Sequence, residues 1–265
     1  MLPMVFNAKI QAVQTANRSG RKNAADYLRS YPMMKHIVLP VLAAVALAGC
    51  QSYQENQSRR SKITQFVLNH PVAAQAIGVE HDRSSNISSN AARFALRTGL
   101  DDTANGDGRG TQVNAVRHAL WQAAIASKFD SETAEKVGNA YQAEMDARDG
   151  KNDYYSRLAA DNAVDLRNNR IGREIGSSKP ESDMKTLAND VLHYYLHTGL
   201  WTASKAGKGW HVEQSRLSER EYSRALKNIE PLNADGMTEE EQRNHKPDTF
   251  REIKRAVRAL NRIED

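Results

Sequence analysis

The chain has 265 residues, with 37 Lys and Arg against 32 Asp and Glu. The +5 formal charge sits wholly in residues 1–50, which hold six cations and Asp26, while residues 51–265 balance at 31 and 31. A neutral body argues against nucleic acid as a partner, and a single cysteine, Cys50, excludes an intrachain disulfide framework and a Cys-built zinc site.

From Met33 the sequence runs through Lys35 and His36 into an apolar stretch at 37–49, 13 residues long, that contains Pro40. A charged start, a short apolar run and a small-residue exit are the plan of a secretory signal rather than a membrane span. The exit, Leu47-Ala48-Gly49-Cys50, resembles the lipobox of bacterial lipoproteins. The resemblance implies cleavage before Cys50, acylation of its thiol, and anchorage in a membrane. Gln51 after the cysteine implies the outer membrane, with the protein facing the periplasm. Residues 33–49 are then the signal peptide, and 1–32 an over-long start or an extended n-region. Residues 50–60 are the lipidated Cys and a polar tether, and 61–265 an all-helical domain.

Helical signals dominate that domain. Segments 61–70 and 88–98 place Ile63, Phe66 and Val67, then Ala91, Phe94 and Ala95, at helical spacing. Residues 101–110 are rich in Gly, Asp and Asn. They fail the calcium-loop pattern, because Thr103 and Asn114 fall where Asp and Glu are needed, and read as a connector. An amphipathic helix is predicted over 112–128, and Asp130 caps another at 131–146. A third spans 153–175. Ser178-Lys179-Pro180-Glu181 reads as a capping box opening a helix over 181–204, followed by a glycine loop at 207–209. Ser218 and Thr238 head two further capping boxes, for helices at 218–229 and 238–263. No alternating strand pattern of useful length and no repeat is present, so the expected fold is all-α, a single irregular multi-helix domain.

Three helical stretches carry candidate chemistry. On the first, Asn114, His118, Trp121 and Ile125 share a face, with Arg117 beside it. On the second, Asp161, Asp165, Asn168 and Gly172 form a stripe flanked by Asn162, Asn169 and Arg173. Neighbouring asparagines are poor helix formers, so their amides are expected to have partners, and Gly172 points to a close helix contact. On the third, His193 and His197 stand at i, i+4, a spacing that can chelate a metal. Glu144 and Asp146 can add a carboxylate.

The run Asn114-Ala115-Val116-Arg117-His118-Ala119-Leu120-Trp121, followed by Asp165-Leu166-Arg167-Asn168-Asn169-Arg170-Ile171-Gly172-Arg173, resembles an uncharacterised bacterial helical domain with N-A-x-R-H-A-x-W and D-x-x-N-N-x-x-G-R motifs. The resemblance covers about residues 90–205. It implies secreted, lipoprotein, phage or toxin-associated chains and no established activity. Relatives of that kind carry Ala-His-Glu between the motifs. Here the nearby residues are Ala140-Tyr141-Gln142-Ala143-Glu144, so the His is absent.

Two functions fit these residues. The first is a lipid-anchored helical binding or structural module of the cell envelope, with a protein, lipid or cell-wall partner. Its polar network would be Asn114, Trp121, Asn168, Asn169 and Arg170. The second is a hydrolase acting on phospholipid or peptidoglycan. There His118 is base or metal ligand, Asp165 its orienting carboxylate or a ligand, and Arg117 or Arg170 an anion clamp. A divalent metal, not the favoured cofactor, would take His118, Glu144, Asp165, His193 and His197.

Overall fold

A computed structural model describes residues 57–141, 150–246 and 249–263. Cys50, the lipobox and signal segment, most of the tether, Glu144 and Asp146 lie outside the described residues.

The fold is predominantly helical, built in chain order from α1 (Arg59–Asn69), α2 (Pro71–Ile77), α3 (Ile87–Arg97), α4 (Gln112–Lys128), α5 (Ser131–Tyr141), β1 (Asp153–Tyr154), α6 (Arg157–Ser177), α7 (Met184–His197), β2 (Leu200–Ala206), β3 (Gly209–Ser215), α8 (Glu219–Ile229), α9 (Glu239–Asn244) and α10 (Thr249–Arg262). Side-chain caps set most of the starts. Asn86, Thr111, Ser156 and Asp183 each accept from the backbone N–H three residues on. Ser218 and Thr238 form the two expected capping boxes.

α4 is the central element, and its contact with α6 is the most extensive between any two described elements. Both sequences keep the seam narrow. Ala115, Ala119 and Ala123 are fully buried on α4, and a Cβ at Gly172 or Gly176 of α6 would fall 2.1 Å from the carbonyl oxygens of Ala119 and Ala123. Large buried side chains (Phe94, Leu120, Ile125, Leu187, Leu192, Tyr195) fill the rest of the core.

Four local expectations are corrected. Residues 200–206 are not the end of a helix. They form β2, which pairs antiparallel with β3 in register from Leu200↔Ser215 to Ala206↔Gly209. β1 adds to β3 through Tyr154↔Trp210, giving the order β1-β3-β2. Ala203 and Val212, cross-strand partners, join Tyr154, Ala160, Ala163 and Val164 in a second small core over α6. The third predicted helix starts at Arg157, after β1, rather than at 153. Ser178 opens no helix. It closes α6, its N–H bonding to Glu174, while the N–H groups of Glu181 and Ser182 are taken by Ser127. Asp183 is the true cap of α7. The last predicted helix is instead two, α9 ending at Asn244 and α10 starting at Thr249; in the sequence Pro247 falls between them, a residue type that disfavours a continuous helix.

Candidate active site

The narrow α4–α6 seam carries a chain of buried polar groups from one helix to the other. Arg117 Nη2 donates to Asn114 Oδ1 at 2.7 Å. That leaves the Asn114 amide nitrogen for two carboxylates, Asp165 Oδ1 at 2.8 Å and Asp161 Oδ1 at 3.3 Å. His118 Nε2 stands 3.2 Å from Asp165 Oδ1, and its Nδ1 lies 3.2 Å from Asn169 Oδ1. The spacings dictate this convergence: 114 and 118 are one turn apart on α4, and 161, 165 and 169 one turn apart on α6.

Charge placement decides the protonation. An amide oxygen can only accept, so Nδ1 carries the imidazole hydrogen toward Asn169 and Nε2 is the basic nitrogen. Burial, then the Arg117 guanidinium, push the His118 ring down to about 3, so it is neutral. Burial, then the neighbouring Asp165, push the Asp161 carboxyl up to about 6. The Asp161 carboxyl, beside Asp165 and sharing the Asn114 amide with it, therefore keeps its proton to higher pH than a free carboxyl does. With the ring neutral, the 3.2 Å contact between His118 Nε2 and Asp165 Oδ1 is not an ion pair. The Gly110 N–H donates to Asp161 Oδ1 at 2.9 Å, so the 101–110 connector also supplies the site.

This cluster opens into a cavity of about 410 Å³ lined by His118, Asp161 and Asp165. Trp121, Tyr141, Val79 and Leu158 give it apolar walls, and Arg59, Arg109 and Arg117 give it cations. Arg109 Nε lies 3.9 Å from Asp161 Oδ2. Arg117 Nη1 lies 3.6 Å from Glu80. Trp121 is held by its indole N–H donating to Ser88 Oγ at 3.1 Å, and it meets His118 and Tyr141 edge-on.

Residues 75–199 match a family described as a domain of unknown function (DUF6973). No curated protein and no solved structure matches the chain. The matched segment runs from the end of α2 to Gly199, so it holds Asn114, Arg117, His118, Asp161, Asp165 and Asn169, and stops where β2 begins.

Of the candidate residues, Asn114, Arg117, His118, Trp121, Asp165 and Asn169 come together. Asn168 does not face the cavity. It hydrogen-bonds both backbone groups of Trp201, at 2.8 and 2.9 Å, and so docks β2 on α6. Arg170 is exposed and is not among the cavity-lining residues. His193 and His197 touch each other, ring centroids 4.3 Å apart, on the exposed side of α7. They do not join His118 and Asp165, and among the described residues no group of three His, Cys, Asp or Glu is arranged to hold a metal. The sequence stripe contained Asp161 without marking it as part of the chemistry. Arg59, Glu80, Arg109 and Tyr141 reach the cavity from separate elements, and nothing in their local sequence signals it.

Proposed function

We infer that this chain is an acid–base hydrolase acting on an anionic amphiphile of the cell envelope, phospholipid being the class that fits the cavity. The observation that carries the reading is the meeting of a neutral imidazole with a protonatable carboxylate pair at the wall of an open cavity. Arginines and apolar side chains line that same cavity, which suits a substrate that joins a phosphate to an acyl chain. The lipobox supports the address, by anchoring the chain to the membrane that holds the substrate.

The groups divide the work as follows. Arg117 and Arg109 hold the substrate anion. His118 Nε2 takes a proton from water as the water oxygen bonds to the ester carbonyl carbon. The proton held by Asp161 and Asp165 passes to the leaving alcohol oxygen as its bond to that carbon breaks. Loss of this proton leaves a negative charge beside the ring, which raises its basicity as the water proton arrives. The proton on Nε2 then returns to Asp165 Oδ1 across the 3.2 Å contact, restoring the resting state.

A second reading rests on one observation: Asn114, Asp165, His118 and Asn169 also satisfy one another, as a network that only fixes helix register would. The two part on one experiment. Fatty-acid release from phosphatidylglycerol vesicles is measured for the unaltered chain and for His118→Gln, with thermal melts alongside. The hydrolase reading expects release that falls at least 100-fold in a variant that still melts cooperatively. No release by the unaltered chain, or full release by the variant, contradicts it.

A further inference from the structure

Helix α10 has only part of its surface committed to the body of the protein. Ile263 packs on the main core. Ala256, with Ile253 and Arg255, lines a groove against Ala74 and Gln75 of α2. The helix touches both α1 and α2: Arg60 Nη2 of α1 donates to Asn261 Oδ1 at 3.3 Å near one end, and Ile253 reaches α2 at the other. Ile253 and Val257, one turn apart, nevertheless stay 53% and 52% exposed. Lys254 and Arg258 border them on the helix surface and are exposed, as are Arg251 and Arg262. The span Thr249–Arg262 carries five cations and one acid.

An exposed apolar pair edged by cations is the pattern of a helix that lies in a bilayer interface, its apolar side at the acyl boundary and its cations on lipid phosphates. Fourteen residues make about 21 Å of helix, too short to span. We propose that the exposed face of α10 is a docking surface for an anionic phospholipid bilayer. Charge selects this occupant. A second copy seated face to face across a two-fold axis would set the same cations against each other. A nucleic acid would meet the cations and leave Ile253 and Val257 in water. The inference stands apart from the catalytic reading. The α2–α10 groove shares Gly78 and Val79 with the wall of the His118 cavity.

The test places a polarity-sensitive dye on the helix itself. Cys50 is the only cysteine, so the full chain carrying Cys50→Ala and Val257→Cys offers one thiol. A parallel chain carries the dye at Lys208→Cys in the β2–β3 turn. Phosphatidylglycerol vesicles should blue-shift the dye at 257 and raise its emission about twofold, with phosphatidylcholine vesicles giving no change. Lys254→Glu with Arg258→Glu should abolish the response at 257. Equal responses to both lipids, a response to duplex DNA, or blue emission before any addition (a second copy covering the face) would each overturn the proposal. So would a shift at 208 with none at 257.

Discussion

Gly172 of α6 lies against the Ala119 carbonyl of α4 so closely that a Cβ there would sit 2.1 Å from the oxygen. Backbone cannot yield as a side-chain end can, so Gly172→Ala must push the helices apart. We expect a loss of about 1–3 kcal/mol, the usual cost of overpacking, read as a lower urea midpoint at unchanged slope. The same displacement should separate His118 from Asp165, so activity should fall more than stability does.

Asn168 tests the other side of α6. Its amide occupies both backbone groups of Trp201, and Asn168→Ala leaves a buried N–H and C=O without those bonds. The expected loss is about 2–4 kcal/mol, seen by denaturant titration. Amide exchange should rise first in β2 and β3, while the cavity residues keep their protection.

What could be read in the sequence divides along physical lines. α4 was legible over 112–128, because Val113, Val116 and Leu120 recur at helical spacing. The α4–α6 stripes were legible because asparagines inside helices need partners, and Gly172 needs a close neighbour. The hairpin was not. Leu200, Trp201 and Ala203 continue the apolar run of α7, and the outer strand residues (Ser204, Lys205, Glu213, Gln214) read as loop because much of the sheet faces water. Only Gly199, in a left-handed turn at φ 104°, and Gly207 at φ 58° mark its ends. Ser178 misled because the residues of a cap pattern are present, but the Glu181 and Ser182 N–H groups donate instead to Ser127, a tertiary partner. Arg109 and Arg59 were out of reach, since only the folded chain brings a connector and α1 to one cavity.

His118 and Asp161 shift stability in opposite directions with pH. The ring is harder to protonate folded than unfolded, so its contribution is intact above 6.5 and is lost as pH falls toward about 3. Asp161 is easier to protonate folded, so its contribution is present below 3.8 and is lost as pH rises through about 6. Between pH 4 and 6 the two oppose each other. His118→Gln should therefore gain relative stability as pH is lowered from 6 to 4, and Asp161→Asn should lose it. Urea unfolding at four pH values checks both slopes.

Arg109 is half exposed at the cavity edge, 3.9 Å from Asp161. If it holds the substrate anion, Arg109→Gln should raise KM about tenfold and leave kcat within about twofold, as loss of one charge-assisted contact does. A fall in kcat with KM unchanged would instead place Arg109 in the chemical step.

In the proposed reaction a neutral His118 works beside a proton held at the Asp161–Asp165 pair, Asp161 being the carboxyl that burial raises. The most direct test is the pH dependence of kcat for fatty-acid release from phosphatidylglycerol vesicles by the unaltered chain. Activity should decline as pH rises through about 6, where the Asp161 carboxyl gives up its proton, with no such limb in the residual rate of Asp161→Asn. A rate that climbs steadily from pH 6 to 9, or an alkaline limb unchanged in Asp161→Asn, would contradict it.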